Sequence, residues 1–235
     1  MSSLFHPRFE MIVGLHDIAM PPAARGDELS CWVPFSHVAS QLDEMLENTQ
    51  SQGVSLRITS DDGFRSDYDI LLPWLQERGL VGTFFIPTRY LDKPGRLTTA
   101  QLRELAAAGM SIGVHGALHL DWTGIPEAVF IADVHEGRER LQDLLGASVH
   151  FVAPPFGRYN ERVLQHLIGQ GFSEIHTVQP GLAPVGLPIK PRNMIRASQI
   201  DAVVARSRDP GGPRDIARYR LRRVRSTLKS LVGAA

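Results

Sequence analysis

Val54-Ser-Leu-Arg-Ile-Thr-Ser-Asp-Asp-Gly63 carries a β-like run into two adjacent carboxylates, Asp61 and Asp62. Farther along, Ser111-Ile-Gly-Val114 runs into His115-Gly-Ala-Leu-His119, two imidazoles four residues apart. If both runs are strands of one parallel sheet, their carboxyl ends share an edge, where open α/β sheets and barrels keep their active sites. One carboxylate and two histidines there can bind a divalent metal and leave coordination positions open. The second carboxylate stays free to act as a base. A helical zinc-protease site is excluded, because no glutamate follows His115. Gly63 permits a tight turn after the carboxylates, and Gly113 and Gly116 loosen the histidine segment.

Working outward, short apolar runs alternate with amphipathic segments. The pattern predicts strands at Met11–Leu15, Val54–Thr59, Gly82–Ile86, Ser111–Val114, Val149–Val152 and Glu174–Thr177. Helices are predicted between them at 35–50, 68–78, 99–108, 126–145 and 161–169. Alternation of this kind means βαβ units, hence a parallel sheet or a (β/α) barrel. Residues 17–34 and 180–191 read as loops.

At 235 residues and 43% apolar content the chain fits one large domain with a sizeable core. Lysine plus arginine equals aspartate plus glutamate at 25 each, which argues against a nucleic-acid partner. The single Cys31 excludes an internal disulfide or a cysteine-rich zinc site. The amino terminus lacks a basic start followed by a long apolar core, and no run reaches the length of a membrane span. The expectation is a soluble, cytoplasmic protein. The charge is uneven, however: 206–235 holds nine basic and two acidic residues, a net of plus seven, so the remainder is minus seven. Ile216, Tyr219, Val224, Leu228 and Leu231 recur there at roughly helical spacing. The division expected is a catalytic domain over 1–205 and a basic amphipathic helix over 206–235. That helix either packs on the domain or meets an anionic membrane surface, the latter making the protein peripheral to the inner face of the membrane.

Three segments together resemble the polysaccharide deacetylases of carbohydrate esterase family four, with their NodB-like homology domain. ITSDDGFRSDYDILLPWLQERGLVGTFFI, from Ile58, is similar to the first motif, its following helix and its TFF strand. HGALH is similar to the second motif and VAPPFGRYN, from Val152, to the third. The resemblance implies a single-domain α/β fold, a distorted (β/α)7-type barrel. It implies Asp61 as general base, Asp62, His115 and His119 as ligands of a divalent metal, most often zinc, and the Phe156 N–H as oxyanion donor. Gly14-Leu-His16-Asp, followed by Phe35-Ser-His-Val-Ala-Ser-Gln-Leu42, is similar to the start of the biofilm poly-N-acetylglucosamine deacetylases, which have a permuted motif order. This implies His16 as general acid, with His176 as the fallback.

The pattern departs from the family at Ala153, which stands where the third motif has arginine, and at Ser60, which replaces a phenylalanine. Arg192 or Arg196, and less readily Arg158, could supply a guanidinium to Asp61 or contact the substrate. Trp122 and Trp74 are candidate sugar-stacking residues, Trp74 more readily as core. The implied reaction is metal-dependent removal of an acetyl group from an N-acetylated amino sugar in a polysaccharide, oligosaccharide or lipid-linked glycan. The rival readings are deacylation of another amide and an inactive carbohydrate-binding module of the same fold.

Overall fold

The computed structural model describes residues 9–19 and 33–209. Strand β1 (Phe9–Leu15) is followed by α1 (Phe35–Ser51), β2 (Ser55–Asp61), α2 (Leu72–Glu77) and β3 (Gly82–Ile86). Then come α3 (Thr99–Ala107), β4 (Ser111–Val114), α4 (Glu127–Leu145), β5 (Phe151–Val152), α5 (Glu161–Gly169) and β6 (Glu174–Thr177). Three short strands, β7 (Leu182–Pro184), β8 (Ile189–Pro191) and β9 (Asn193–Met194), precede α6 (Ile200–Arg208). The strand order β7-β1-β2-β3-β4-β5-β6-β8 makes a nearly closed barrel of eight strands, with β9 on β1. β1 to β6 and β8 run parallel, the (β/α)7 arrangement expected, while β7 is antiparallel to β1.

Alternation along the strands sorts side chains between two environments. Leu56 and Ile58 of β2 join Val13, Phe84, Ile112 and Ile175 in the layer packed beneath the helices. Their neighbours Arg57, Thr59 and Asp61 point inward. The register carries that inward parity from strand to strand: Asp61 opposes Phe85, Phe85 opposes Gly113, Gly113 opposes Phe151, and Phe151 opposes Glu174. The interior is consequently polar for much of its length. At the amino-terminal end Arg57 pairs with Glu10 (3.0 Å) and Glu174 (2.9 Å), and Lys190 hydrogen-bonds Glu10 and the Pro184 carbonyl. These side chains tie β1, β2, β6, β7 and β8 together across the barrel. Phe85 fills the middle, and a Cβ at Gly113 would lie 2.5 Å from its ring, so glycine is required there.

Two expectations need correction. The 180–191 stretch is two short strands rather than loop; three-residue strands containing proline carry no period, and only closure of the barrel pairs them. The predicted 68–78 helix is a π-helical turn at Asp67–Leu71 leading into a shorter α2. α6 was not predicted. It docks on α1 through Asn48 to Ser207 (3.0 Å) and Glu44 to Arg208 (2.7 Å), so a boundary between 205 and 206 falls inside a packed helix. The stretch from 210 onward, with most of the predicted basic helix, and Cys31 lie outside the described residues.

Candidate active site

The carboxyl ends of β1, β2, β4 and β5 deliver His16, Asp61, Asp62, His115 and Phe156 to one mouth of the barrel. Asp61 is the last residue of β2; the chain then turns through Asp62 in the left-handed region (φ 74°). His119 (φ 56°) and Phe156 (φ 59°) share that conformation, so three of the four such non-glycine residues among those described lie at this mouth. Each costs about 1–3 kcal/mol, and clusters of this kind mark functional sites.

Asp62, His115 and His119 each offer a ligand atom, and these atoms lie within 4.8 Å of one another. Asp62 Oδ1 is 3.1 Å from His119 Nε2 and 3.6 Å from His115 Nε2. It is otherwise an orphaned buried acceptor, the kind of atom that a cation satisfies. The His115 Nδ1–H donates to the Ala153 carbonyl (2.7 Å), which leaves the Nε2 lone pair facing Asp62. Such a bond orients a metal-binding imidazole. Burial lowers the His115 pKa to about 4, keeping it in the neutral, ligating form. Burial opposes ionisation of Asp62, but the His119 hydrogen bond and the nearby imidazoles outweigh it, holding Asp62 below the usual carboxylate range. The donor set therefore fits a divalent ion.

Asp61 is beside this cluster but engaged elsewhere. Arg192, fully buried, grips it with both terminal nitrogens, at 2.6 Å and 2.9 Å. The same guanidinium reaches Thr59 Oγ1 (3.2 Å), whose hydroxyl donates to the Val13 carbonyl. Burial opposes the Asp61 carboxylate, yet Arg192, with His115 and His16, lowers its pKa overall. His16 Nε2 is 3.9 Å from Asp61 Oδ2, on the rim of the mouth. The turn carrying Phe156 is closed by Gly157 N–H to Pro154 C=O (3.0 Å) and Arg158 N–H to Pro155 C=O (3.1 Å). The Phe156 N–H lies between these two, and its ring, 59% exposed, sits 4.5 Å from the His119 ring.

The polysaccharide deacetylase family model matches residues 48–175, which include both carboxylates, both histidines and the Phe156 turn. The chain belongs to the polysaccharide deacetylase family. YxkH of Bacillus subtilis (strain 168), named for this family, is 28% identical over 126 residues, 54% of this chain and 45% of that protein. Chitin deacetylase 1 of Cryptococcus neoformans is 27% identical over 107 residues, 45% of this chain and 22% of that protein. The aligned stretch is thus less than half of either relative. IcaB from Ammonifex degensii superposes with a TM-score of 0.72 at 21% identity, covering 86% of this chain and 97% of its own. The Streptococcus pyogenes deacetylase PplD, solved in complex with acetate, gives 0.72 at 20% identity, over 87% of this chain and 100% of its own. These solved structures share the barrel of this polysaccharide deacetylase-family chain.

Other candidates are placed elsewhere. Arg196 is exposed, and Arg158 is committed to Asp121 (2.6 Å), so neither is the guanidinium on Asp61. Trp122 is not a sugar platform: it is fully buried, with its indole N–H donating to Asp133 Oδ2 (2.7 Å). Trp74 is buried against Phe35. His176 does not reach the mouth; it is fully buried, its Nε2–H donates to Glu174 (2.9 Å), and burial lowers its pKa to about 4. Asp133 escaped sequence reasoning. Its Oδ1 accepts the Leu118 N–H (2.6 Å) and its backbone carbonyl accepts the Ala117 N–H (2.9 Å), anchoring the 115–119 loop. The clue was present: Phe130, Asp133, Val134 and Gly137 share the buried stripe of α4. Among the described residues no helix is long and apolar enough to cross a membrane.

Proposed function

We propose that this protein is a metal-dependent N-deacetylase that removes the acetyl group from an N-acetylated amino sugar in a polysaccharide, oligosaccharide or lipid-linked glycan. The carrying observation is the convergence of Asp62, His115 and His119 within 4.8 Å, with Asp61 alongside under the control of Arg192. Asp62, His115 and His119 would hold the ion, zinc or another first-row divalent metal. When bound, such an ion polarises an amide carbonyl and lowers the pKa of a water.

The chain's own groups supply the proton transfers. Asp61, held ionised by Arg192, takes a proton from the attacking water. The Phe156 N–H donates to the carbonyl oxygen as that oxygen gains charge. His16 protonates the sugar nitrogen as the C–N bond breaks, giving acetate and a free amine. Arg192, between β8 and β9, thereby takes the place of the missing arginine at Ala153, which removes the main argument for an inactive binding module. The exposed Phe156 and the half-buried Tyr90, whose rings lie 4.5 Å and 5.7 Å from that of His119, border the mouth where a sugar would lie.

The test is acetate release from N-acetylglucosamine oligomers by the purified full chain. Chelation should abolish turnover and added zinc should restore it; metal binding without turnover on any N-acetylated glycan would reject the reading. For the basic segment beyond Arg206 we propose contact with anionic membrane. Deleting residues 214–235 should weaken binding to phosphatidylglycerol vesicles, and unchanged binding would remove that idea.

A further inference from the structure

Asp62 is held in its left-handed conformation by two backbone bonds. Its N–H donates to the Phe85 carbonyl (3.0 Å), continuing the β2–β3 ladder. Its carbonyl accepts from Arg96 Nη1 (3.0 Å). Around that second bond, the segment after β3 clasps the turn after β2. Leu97 N–H donates to Gly63 C=O (2.9 Å), Arg65 N–H donates to Gly95 C=O (3.0 Å), and Phe64 pairs antiparallel with Arg96.

Arg96 is only 9% exposed, and among the described residues no ion pair joins it to a carboxylate. Its guanidinium lies between two rings, 3.8 Å from the centroid of Phe64 and 4.4 Å from that of Tyr90. Tyr90 in turn is 5.7 Å from the His119 ring. Desolvating a cation without a counter-ion is unfavourable, so the ring faces and the Asp62 carbonyl must compensate it. The same arrangement lets one side chain set two neighbouring segments: the peptide that aims the Asp62 carboxylate, and the wall against which His119 packs.

We infer that Arg96 is a positioning residue that fixes the geometry of the Asp62–His115–His119 metal site through its hydrogen bond to the Asp62 carbonyl. This rests on the metal-ligand reading proposed above. Removal of groups that orient ligands costs roughly 10–100-fold in metal affinity. The role calls for a buried donor at the Asp62 carbonyl. Methionine keeps much of the apolar stem between the rings but cannot donate, whereas lysine can.

The test measures zinc affinity of the full chain by competition with a chromogenic chelator, together with the thermal midpoint of the metal-free protein. Arg96→Met should lower affinity by about 10–100-fold, and Arg96→Lys should recover to within about tenfold of wild type. Thr98→Ala is the control. It removes the capping box of α3 two residues away, and it should lower the thermal midpoint while leaving zinc affinity unchanged. Wild-type affinity in Arg96→Met overturns the inference, as does an Arg96→Lys variant as weak as the methionine one, or an equal loss in Thr98→Ala. If the methionine variant does not fold, the lysine variant alone decides, and a loss beyond tenfold overturns the inference. A wild-type chain that takes up no zinc would instead overturn the metal-site reading, and this inference with it.

Discussion

Arg192 and His16 both lie beside Asp61 and should fail in different ways. Arg192→Met leaves a buried carboxylate without its bidentate partner, a change that costs about 3–5 kcal/mol in folded proteins. Because Arg192 lowers the Asp61 pKa, its loss raises that pKa, and the acid limb of the pH–rate profile should move to higher pH. Arg192→Lys, which keeps the charge but not the fork, should fall between. His16→Gln should depress turnover of N-acetylated glycan by about 10²–10⁴-fold, the usual worth of a general acid. It should spare an activated acetate ester such as p-nitrophenyl acetate, whose leaving group departs without a proton. Equal losses on amide and ester would exclude His16 as the proton donor.

At the scale of elements, the end of β2 is buttressed from its outer face. Ser60 donates to Asp67 Oδ1 (2.6 Å), which joins the strand to the π-helical turn behind it. Burial raises the Asp67 pKa well above the ordinary 3.8, and the carboxylates of Asp17, Asp61 and Asp62 push it the same way. A raised folded-state pKa means that Asp67 contributes fully below pH 3.8, and the contribution is lost as the pH climbs toward the raised value. Asp67→Asn, which mimics the neutral acid, should therefore match wild type in acid and become the more stable protein as pH rises toward neutrality. Urea midpoints across that range provide the measurement. A family phenylalanine at position 60 could not make this bond, so Ser60 changes more than packing.

For the whole molecule, the polar interior divides into a structural end and a chemical end. Lys190→Met at the amino-terminal end removes one of the two cations on Glu10 while Arg57 remains, so it should destabilise less than Arg192→Met one tier above and leave kcat intact. The barrel should also be acid-sensitive. His115 and His176 are buried with folded pKa values near 4 against 6.5 unfolded. Depressed values mean that their stabilising contribution is present above pH 6.5 and is lost as pH falls through 4. On the order of 3 kcal/mol per histidine should disappear across that window in metal-free protein, measured by denaturant titration. Zinc should deepen the dependence, because protons compete for the His115 lone pair.

The chain order of apolar runs and amphipathic stretches was enough to yield the six leading parallel strands, the helices between them, and the edge on which Asp61, Asp62, His115 and His119 had to emerge. Local periodicity encodes which face of an element is buried, and parallel strands necessarily end together. Closure of the barrel was beyond reach of that logic, because β7 and β8 are too short to carry a period and exist through their pairing with β1 and β6. So was the choice of Arg192 over Arg196, which share one alternation parity: Arg192, between β8 and β9, is buried against Asp61, whereas Arg196, past the end of β9, is exposed. Trp122, His176 and Arg96 teach the same distinction. Each side chain's chemistry is written in the sequence, but whether it meets solvent, another charge or a ligand depends on contacts between segments that only tertiary packing brings together.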